Sequence, residues 1–292
     1  MNDIYGIDPT SPSDFRDFAH LMRLFEIDQG RFIANYPNGG WLPAMREHLR
    51  RMPDMEQMKA KELWLSIGRS AMVPMPGNFN HEWSWAENAS TTIRDKVFKL
   101  IGPKACPPTL EAIDQALLNP EAFPDASGGH IQRSATAYAK AARPLLQTSP
   151  KIVLVDPYFK LRYFDERTEK FRPSIRHRKS LEELFREAVK WRRVEIFCLA
   201  VSEKEALRSD ESGEIFCNEL KALAASCNAA SIDLELDVLD PLSSTERHPR
   251  YLLGMERGLH FDWGFDTGPQ ETTNHIEWIS KNALQPLLKR FT

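Results

Sequence analysis

Residues 151–159, KIVLVDPYF, set four apolar residues in a row, Ile152 to Val155, and stop them at Asp156-Pro157. A short apolar run without alternation is what a strand covered on both faces requires, because successive side chains point to opposite faces. The same signature returns at VEIFCLAV (194–201). Between the two, Ser180 with Glu183 three residues on forms a capping box for the helix LEELFREAVKWRR. GEIFCNELKALAASC (213–227) then places Ile215, Phe216, Leu220, Leu223 and Cys227 on one side of a second helix. SIDLELDVLD (231–240) alternates at Ile232, Leu234, Leu236 and Val238, as a strand with one less covered face would. Strand, helix, strand, helix, strand specifies an α/β domain with a mostly parallel sheet flanked by helices. RYLLG and LHFDWGFD, separated by MERG, read as a hairpin added to that sheet, and HIEWISKNALQPLLKRF reads as a closing helix.

Upstream the period is helical. Ser13 is placed to cap a helix with Phe15, Phe18, Met22 and Phe25 on one side, and PDMEQMKAKELWLSIGRS and TLEAIDQALLN read likewise. YPNGGW, VPMPGNFNHEW and NPEAFPDASGGH are connections rich in turn residues. The expected organisation is an α-helical N-terminal region over 1–128 and an α/β domain over 129–292, the latter opened by a helix in GGHIQRSATAYAKAARPLLQTSP that kinks or ends near Pro144. Met52, Met55, Met58, Met72 and Met75 read as gap-filling core residues.

With 292 residues and 42% hydrophobic content, the chain can bury the core of one large or two modest domains. No basic-then-apolar leader opens it and no apolar stretch is long enough for a bilayer, so a cytoplasmic protein without a membrane partner is expected. Four cysteines without CxxC spacing argue against a disulfide or zinc, and no GxxxxGK[ST] occurs, so no cofactor and no metal are expected. The formal charge of −3 hides an excess of +6 over residues 160–193, which include Arg172, Arg176, Arg178, Lys179, Arg192 and Arg193 with Tyr163, Phe164, Phe171 and Trp191 interleaved. Such a stretch either tracks a phosphate backbone and stacks bases or is a solvated loop and helix face. Asp156 sits where open sheets meet ligands, outside the carboxyl end of a strand, though Asp before Pro is also a turn former. His130, after Gly128-Gly129 at a helix start, and the nearby Arg133 are candidate anion binders.

KIVLVDPYF followed by ERHPRYLLG and LHFDWGFDTG resembles one repeat of the phospholipase D-like superfamily over roughly residues 130–290. The resemblance implies a strand ending in a DPY-type turn and a hairpin that presents a His-x-Lys motif, an acid and a Gly-Ser-x-Asn stretch. Here these fall on His248-Pro249-Arg250, Glu256 and Gly264-Phe265-Asp266. In the family one imidazole attacks phosphorus and a second protonates the leaving oxygen, so a chain with one motif needs a homodimer pairing two copies of His248. Three departures argue against turnover: Arg250 is a planar fork where lysine is a compact charge, and Phe265 and Asp266 replace Ser and Asn, Asp266 adding negative charge beside an anionic substrate. The alternative for His248 is a turn residue that Pro249 drives into extended backbone.

The Arg-then-Tyr form also resembles degenerate members found among prokaryotic mobile-element defence proteins. The implied function is an accessory, nucleic-acid-binding or scaffold subunit of an anti-phage or anti-plasmid assembly, with other defence proteins and DNA or RNA as partners. A metal-independent homodimeric phosphodiesterase or nuclease built on His248 and a protein-binding adaptor are the alternatives.

Overall fold

Tyr5, Ile7, Phe32, Ile33 and Ala34 are fully buried although they stand in segments too short to show a period. A computed structural model describes residues 3–26, 28–104, 110–202, 213–239, 250–269 and 271–291 and divides the chain into two units, Met1–Ser127 and Gly128–Thr292. His248 lies outside the described residues.

The N-terminal unit is not the helical region expected. Strands β1 (Asp3–Ile7), β2 (Arg31–Asn35), β3 (Met72–Pro74), β4 (Lys99–Gly102) and β5 (Glu111–Ala112) form a parallel sheet in the order β3-β2-β1-β4-β5. Helices α1 (Phe15–Arg23), α2 (Trp41–Leu49), α3 (Asp54–Ala71) and α5 (Ile113–Leu118) share one core with Tyr5, Ile7, Ile33 and Ile101. Helix α4 (Trp85–Thr92) shares a second core with Ala34, Leu100 and Leu110. With two cores the central strands β1 and β2 are covered on both faces and do not alternate, and at two to five residues no strand of this sheet is long enough to outweigh the helical signal around it. Asp14, not Ser13, caps α1, its side chain accepting from the Asp17 amide. Met52 and Met75 are buried as expected, whereas Met55 and Met58 are exposed on α3.

The C-terminal unit runs β6 (Gly128–Gln132), α6 (Ala135–Thr148), β7 (Lys151–Val155), β8 (Arg162–Asp165), β9 (Lys170–Pro173), α7 (Ile175–Trp191), β10 (Ile196–Ser202), α8 (Glu214–Ser226), β11 (Asp233–Leu239), β12 (Tyr251–Leu253), β13 (Gly258–Phe261), β14 (Thr273–Trp278) and α9 (Lys281–Phe291). Seven strands form one sheet in the order β11-β10-β7-β12-β13-β14-β6. It is an α/β unit, but the sheet is mixed rather than mostly parallel: β7, β10 and β11 are parallel, and every pairing from β7 through β12 to β6 is antiparallel.

Two segments read as helix open with strands, β6 and β14. In β14 Asn274, Ile276 and Trp278 are buried while Thr273 and Glu277 are exposed and His275 is half-buried, the period of two that marks a strand. Ser180 lies inside α7, bonding to the Arg176 carbonyl, because the helix begins five residues earlier. On one face α6 and α7 pack together, tied by Arg143 Nε to Glu187 Oε1 at 2.6 Å. Among the described residues no helix is long and apolar enough to cross a membrane.

Candidate functional site

The sheet register decides which side chains meet. Tyr251 pairs with Val155, so the start of β12 lies beside the end of β7, and Thr273 pairs with Gln132, so the start of β14 lies beside the end of β6. One edge therefore collects Asp156, Arg250, Asp262 to Asp266 and Arg133.

Asp156 is the centre of that edge. It is fully buried, its Oδ1 accepting from the Tyr158 amide and its Oδ2 from the Phe265 amide, each at 3.0 Å. Burial pushes its carboxyl above the usual carboxylate range, while the Phe265 and Tyr158 amides and Arg250 pull it partly back and Asp266 adds to the rise. Arg250 Nε stands 3.9 Å from Oδ1, an ionic contact too long for a hydrogen bond, and that nitrogen is buried without a hydrogen-bond partner. The guanidinium is held by Nη1 donating to the Asp262 carbonyl at 3.0 Å and lies over the Tyr158 ring at 5.4 Å. Gly264 is required at this point, since a Cβ there would come 2.7 Å from Asp156 Oδ2.

Arg133 repeats the pattern on the other side of the 262–266 loop. Its Nη2 donates to Asp266 Oδ1 at 2.6 Å and its guanidinium lies over Trp263 at 5.4 Å. Trp263 is held by Asn274, whose Oδ1 accepts from the Trp263 amide and whose Nδ2 donates to its carbonyl. Asn274 Nδ2 also donates to Tyr138 Oη, which in turn donates toward the Gly264 and Asp266 carbonyls at 3.2 and 3.3 Å. Behind the edge, His177 is buried with Nδ1 3.0 Å from Ser174 Oγ and its ring 4.9 Å from Phe159. Desolvation pushes it down to about 4; Asp266 opposes this, while Lys160, Arg133 and Arg176 reinforce it. His177 is therefore neutral near pH 7.

Of the residues singled out from sequence, Asp156, Arg250 and Arg133 come together, and the Arg176 carbonyl accepts from Thr267 beside them. The others disperse. Glu256 is exposed in the β12–β13 turn at the opposite edge, where the neighbouring Met255 amide donates to Ser149 Oγ ahead of β7. Arg192 and Arg193 follow the far end of α7, about 25 Å along its axis from Arg176. Arg193 Nε there faces the Thr148 carbonyl at 3.5 Å.

Arg178 turns toward Glu219 at 3.9 Å, Lys179 is exposed on α7, and Arg172 pairs with Asp165 at 2.7 Å on the β8–β9 hairpin. His130 lies not at a helix start but on the edge strand β6, opposite His275. The hairpin itself exposes Tyr163, Phe164 and Phe171, with Arg162 over Phe171 at 4.9 Å.

Sequence reading missed Tyr138, Trp263, Asn274 and His177. For Asn274 a signal existed, a polar residue in phase with Ile276 and Trp278. For Tyr138 and His177, on helices, none did. Comparison with known family models, curated proteins and solved structures finds no match to this chain.

Proposed function

We propose that the C-terminal unit grips the phosphodiester backbone of a nucleic acid at the edge carrying Arg133 and Arg250. On this reading it is a phospholipase D-like domain whose catalytic set is incomplete, and the protein acts as a binding or scaffold subunit. One observation carries it: Arg250 beside the buried Asp156 carboxylate and Arg133 paired with Asp266 each lie on an aromatic ring, 43% exposed at Tyr158 and 58% at Trp263. A guanidinium fork matches phosphate oxygens, and an exposed ring face stacks bases whatever their sequence. The β8–β9 hairpin extends the same chemistry with Tyr163, Phe164, Phe171 and Arg162. Asp266 holds Arg133 and competes with any incoming phosphate, which favours binding over turnover. The setting that goes with this reading is a cytoplasmic anti-phage or anti-plasmid assembly with other defence proteins as partners.

Fluorescence anisotropy with labelled single-stranded DNA and RNA across a salt series tests the proposal. Affinity should fall steeply with salt, and Arg133→Ala and Arg250→Ala should each flatten the logarithmic slope by about 0.7. Asp266→Asn should tighten binding by freeing Arg133. Binding that is absent, or indifferent to salt and to both arginines, defeats it.

Arg250 beside Asp156 also favours a second reading, a homodimeric phosphodiesterase in which His248, two residues upstream, attacks phosphorus. It requires cleavage that resists chelators and disappears in His248→Ala.

A further inference from the structure

Burial of Leu259 and Phe261 on β13 and of Asn274, Ile276 and Trp278 on β14 assigns one face of the sheet to the core. Alternation then turns His260, Asp262, His275 and Glu277 to the other face. There the register sets His275 directly opposite His130 of β6, an exposed residue on the last strand of the sheet. Their ring centres are 5.1 Å apart at an interplanar angle of 60°, and Asp262 Oδ2 lies 3.6 Å from His275 Nδ1. The adjacent His260 is engaged elsewhere, its Nδ1 3.1 Å from Glu277 Oε1 and its ring beside Tyr251.

We propose that His130 and His275 form a two-histidine, cross-strand chelate for a divalent transition ion of the zinc, copper and nickel class, with Asp262 orienting His275. Imidazole is a good ligand for all three ions. Two imidazoles bound to one tetrahedral ion at Zn–N distances near 2.0–2.1 Å have ring centres about 5 Å apart. The observed spacing therefore accommodates an ion with rotation about the side-chain bonds and no backbone movement. Directly opposed residues of an antiparallel pair have Cβ atoms held about 5 Å apart by the ladder, so the chelate needs no loop to be ordered.

A carboxylate bonded to the far ring nitrogen fixes the tautomer and raises ligand basicity; Asp262 Oδ2, 3.6 Å from His275 Nδ1, is just outside hydrogen-bond reach and needs a small side-chain rotation to take that position, which leaves Nε2 to ligate. Among the described residues no group of three His, Cys, Asp or Glu side chains is placed to hold an ion, so water completes the coordination. The bound ion clips β6 to β14 three residues before Arg133, which contacts Asp266. The histidine pair lies on the sheet face within β6 and β14 and is independent of the nucleic-acid reading.

The full-length protein, titrated with Zn2+ by calorimetry in a non-chelating buffer, should show a saturable site of one ion per chain. His130→Ala and His275→Ala should each weaken it about tenfold or more, and Asp262→Asn by roughly tenfold. Cu2+ as a spectroscopic probe should show coupling to two imidazole nitrogens in the wild type and to one in either histidine variant. His130 is exposed, so melting of the His130→Ala protein without metal should match the wild type, and His275→Ala supplies a second, independent variant. Zn2+ affinity and stoichiometry unchanged in both variants would assign binding to other histidines and overturn the proposal. So would a single-nitrogen Cu2+ signal in the wild type or the absence of saturable binding.

Discussion

Asp156 joins three segments through one side chain: β7, the 157–159 turn and the loop after β13. Removing its carboxylate leaves the buried Phe265 amide and the part-buried Tyr158 amide without acceptors, at about 1–3 kcal/mol for the first and less for the second. Asp156→Ala should therefore lower unfolding free energy by roughly 2–5 kcal/mol in urea titrations, and Asp156→Asn, which keeps one acceptor oxygen, by about half as much. A loss under about 1 kcal/mol for the alanine variant would mean the amides find other partners. His177 gives a pH dependence of definite sign. Its folded value of about 4 lies below the ordinary imidazole value of 6.5, so between these the unfolded chain binds the extra proton.

Its contribution is complete above about pH 6.5 and is lost as pH falls toward 4, on the order of 3 kcal/mol in all. Asp156 works in the opposite sense, because a raised carboxyl favours the folded state when protonated. His177→Phe should accordingly shrink the stability difference between pH 7 and pH 4.5, measured by urea unfolding at both values, and an undiminished difference would show that His177 does not carry the acid limb. The sequence points to Asp156 from its strand end, to Arg250 only through the resemblance and to Arg133 as an anion binder, and the fold sets the three at one edge of the sheet. Tyr138 and His177 were not legible in sequence, because a helical residue's partners across a core leave no mark on its own neighbours.

At the scale of elements, the β8–β9 hairpin is the part of the C-terminal unit least needed for its fold. Its two strands pair with each other and not with the seven-stranded sheet. Phe171→Ala should cost less than about 0.5 kcal/mol of stability, since the ring is partly exposed, yet weaken single-stranded nucleic-acid binding by about 1–3 kcal/mol if a base stacks there. Loss of stability without loss of binding would make the hairpin structural instead. The strands β7, β10 and β11 and the β12–β13 hairpin were readable because each is bounded by turn residues and is either continuously apolar or alternating. Strand β14 was merged with the helix after it because TNHIEW runs on toward a helical pattern with no Gly or Pro between. The five strands of the N-terminal unit were hidden by brevity, and β1 and β2 also by cover on both faces.

For the whole molecule, each unit has its own sheet and its own buried set of side chains. Residues 128–292 expressed alone should therefore melt cooperatively and retain the salt-dependent binding proposed for the full chain. A fragment that stays unfolded by circular dichroism would show that the second core depends on the first. By itself the sequence determined the α/β character of this second unit, the main strands and helices within it, and the inventory of charged and aromatic groups at its strand ends, because local periodicity and turn chemistry act over a few residues. Only the tertiary structure decided the order of the strands. That order, made by pairings between residues as far apart as Gly128 and Glu277, brings Arg250 to Asp156 and Arg133 to Asp266, sends Glu256 and Arg193 to the opposite edge, and sets His130 against His275.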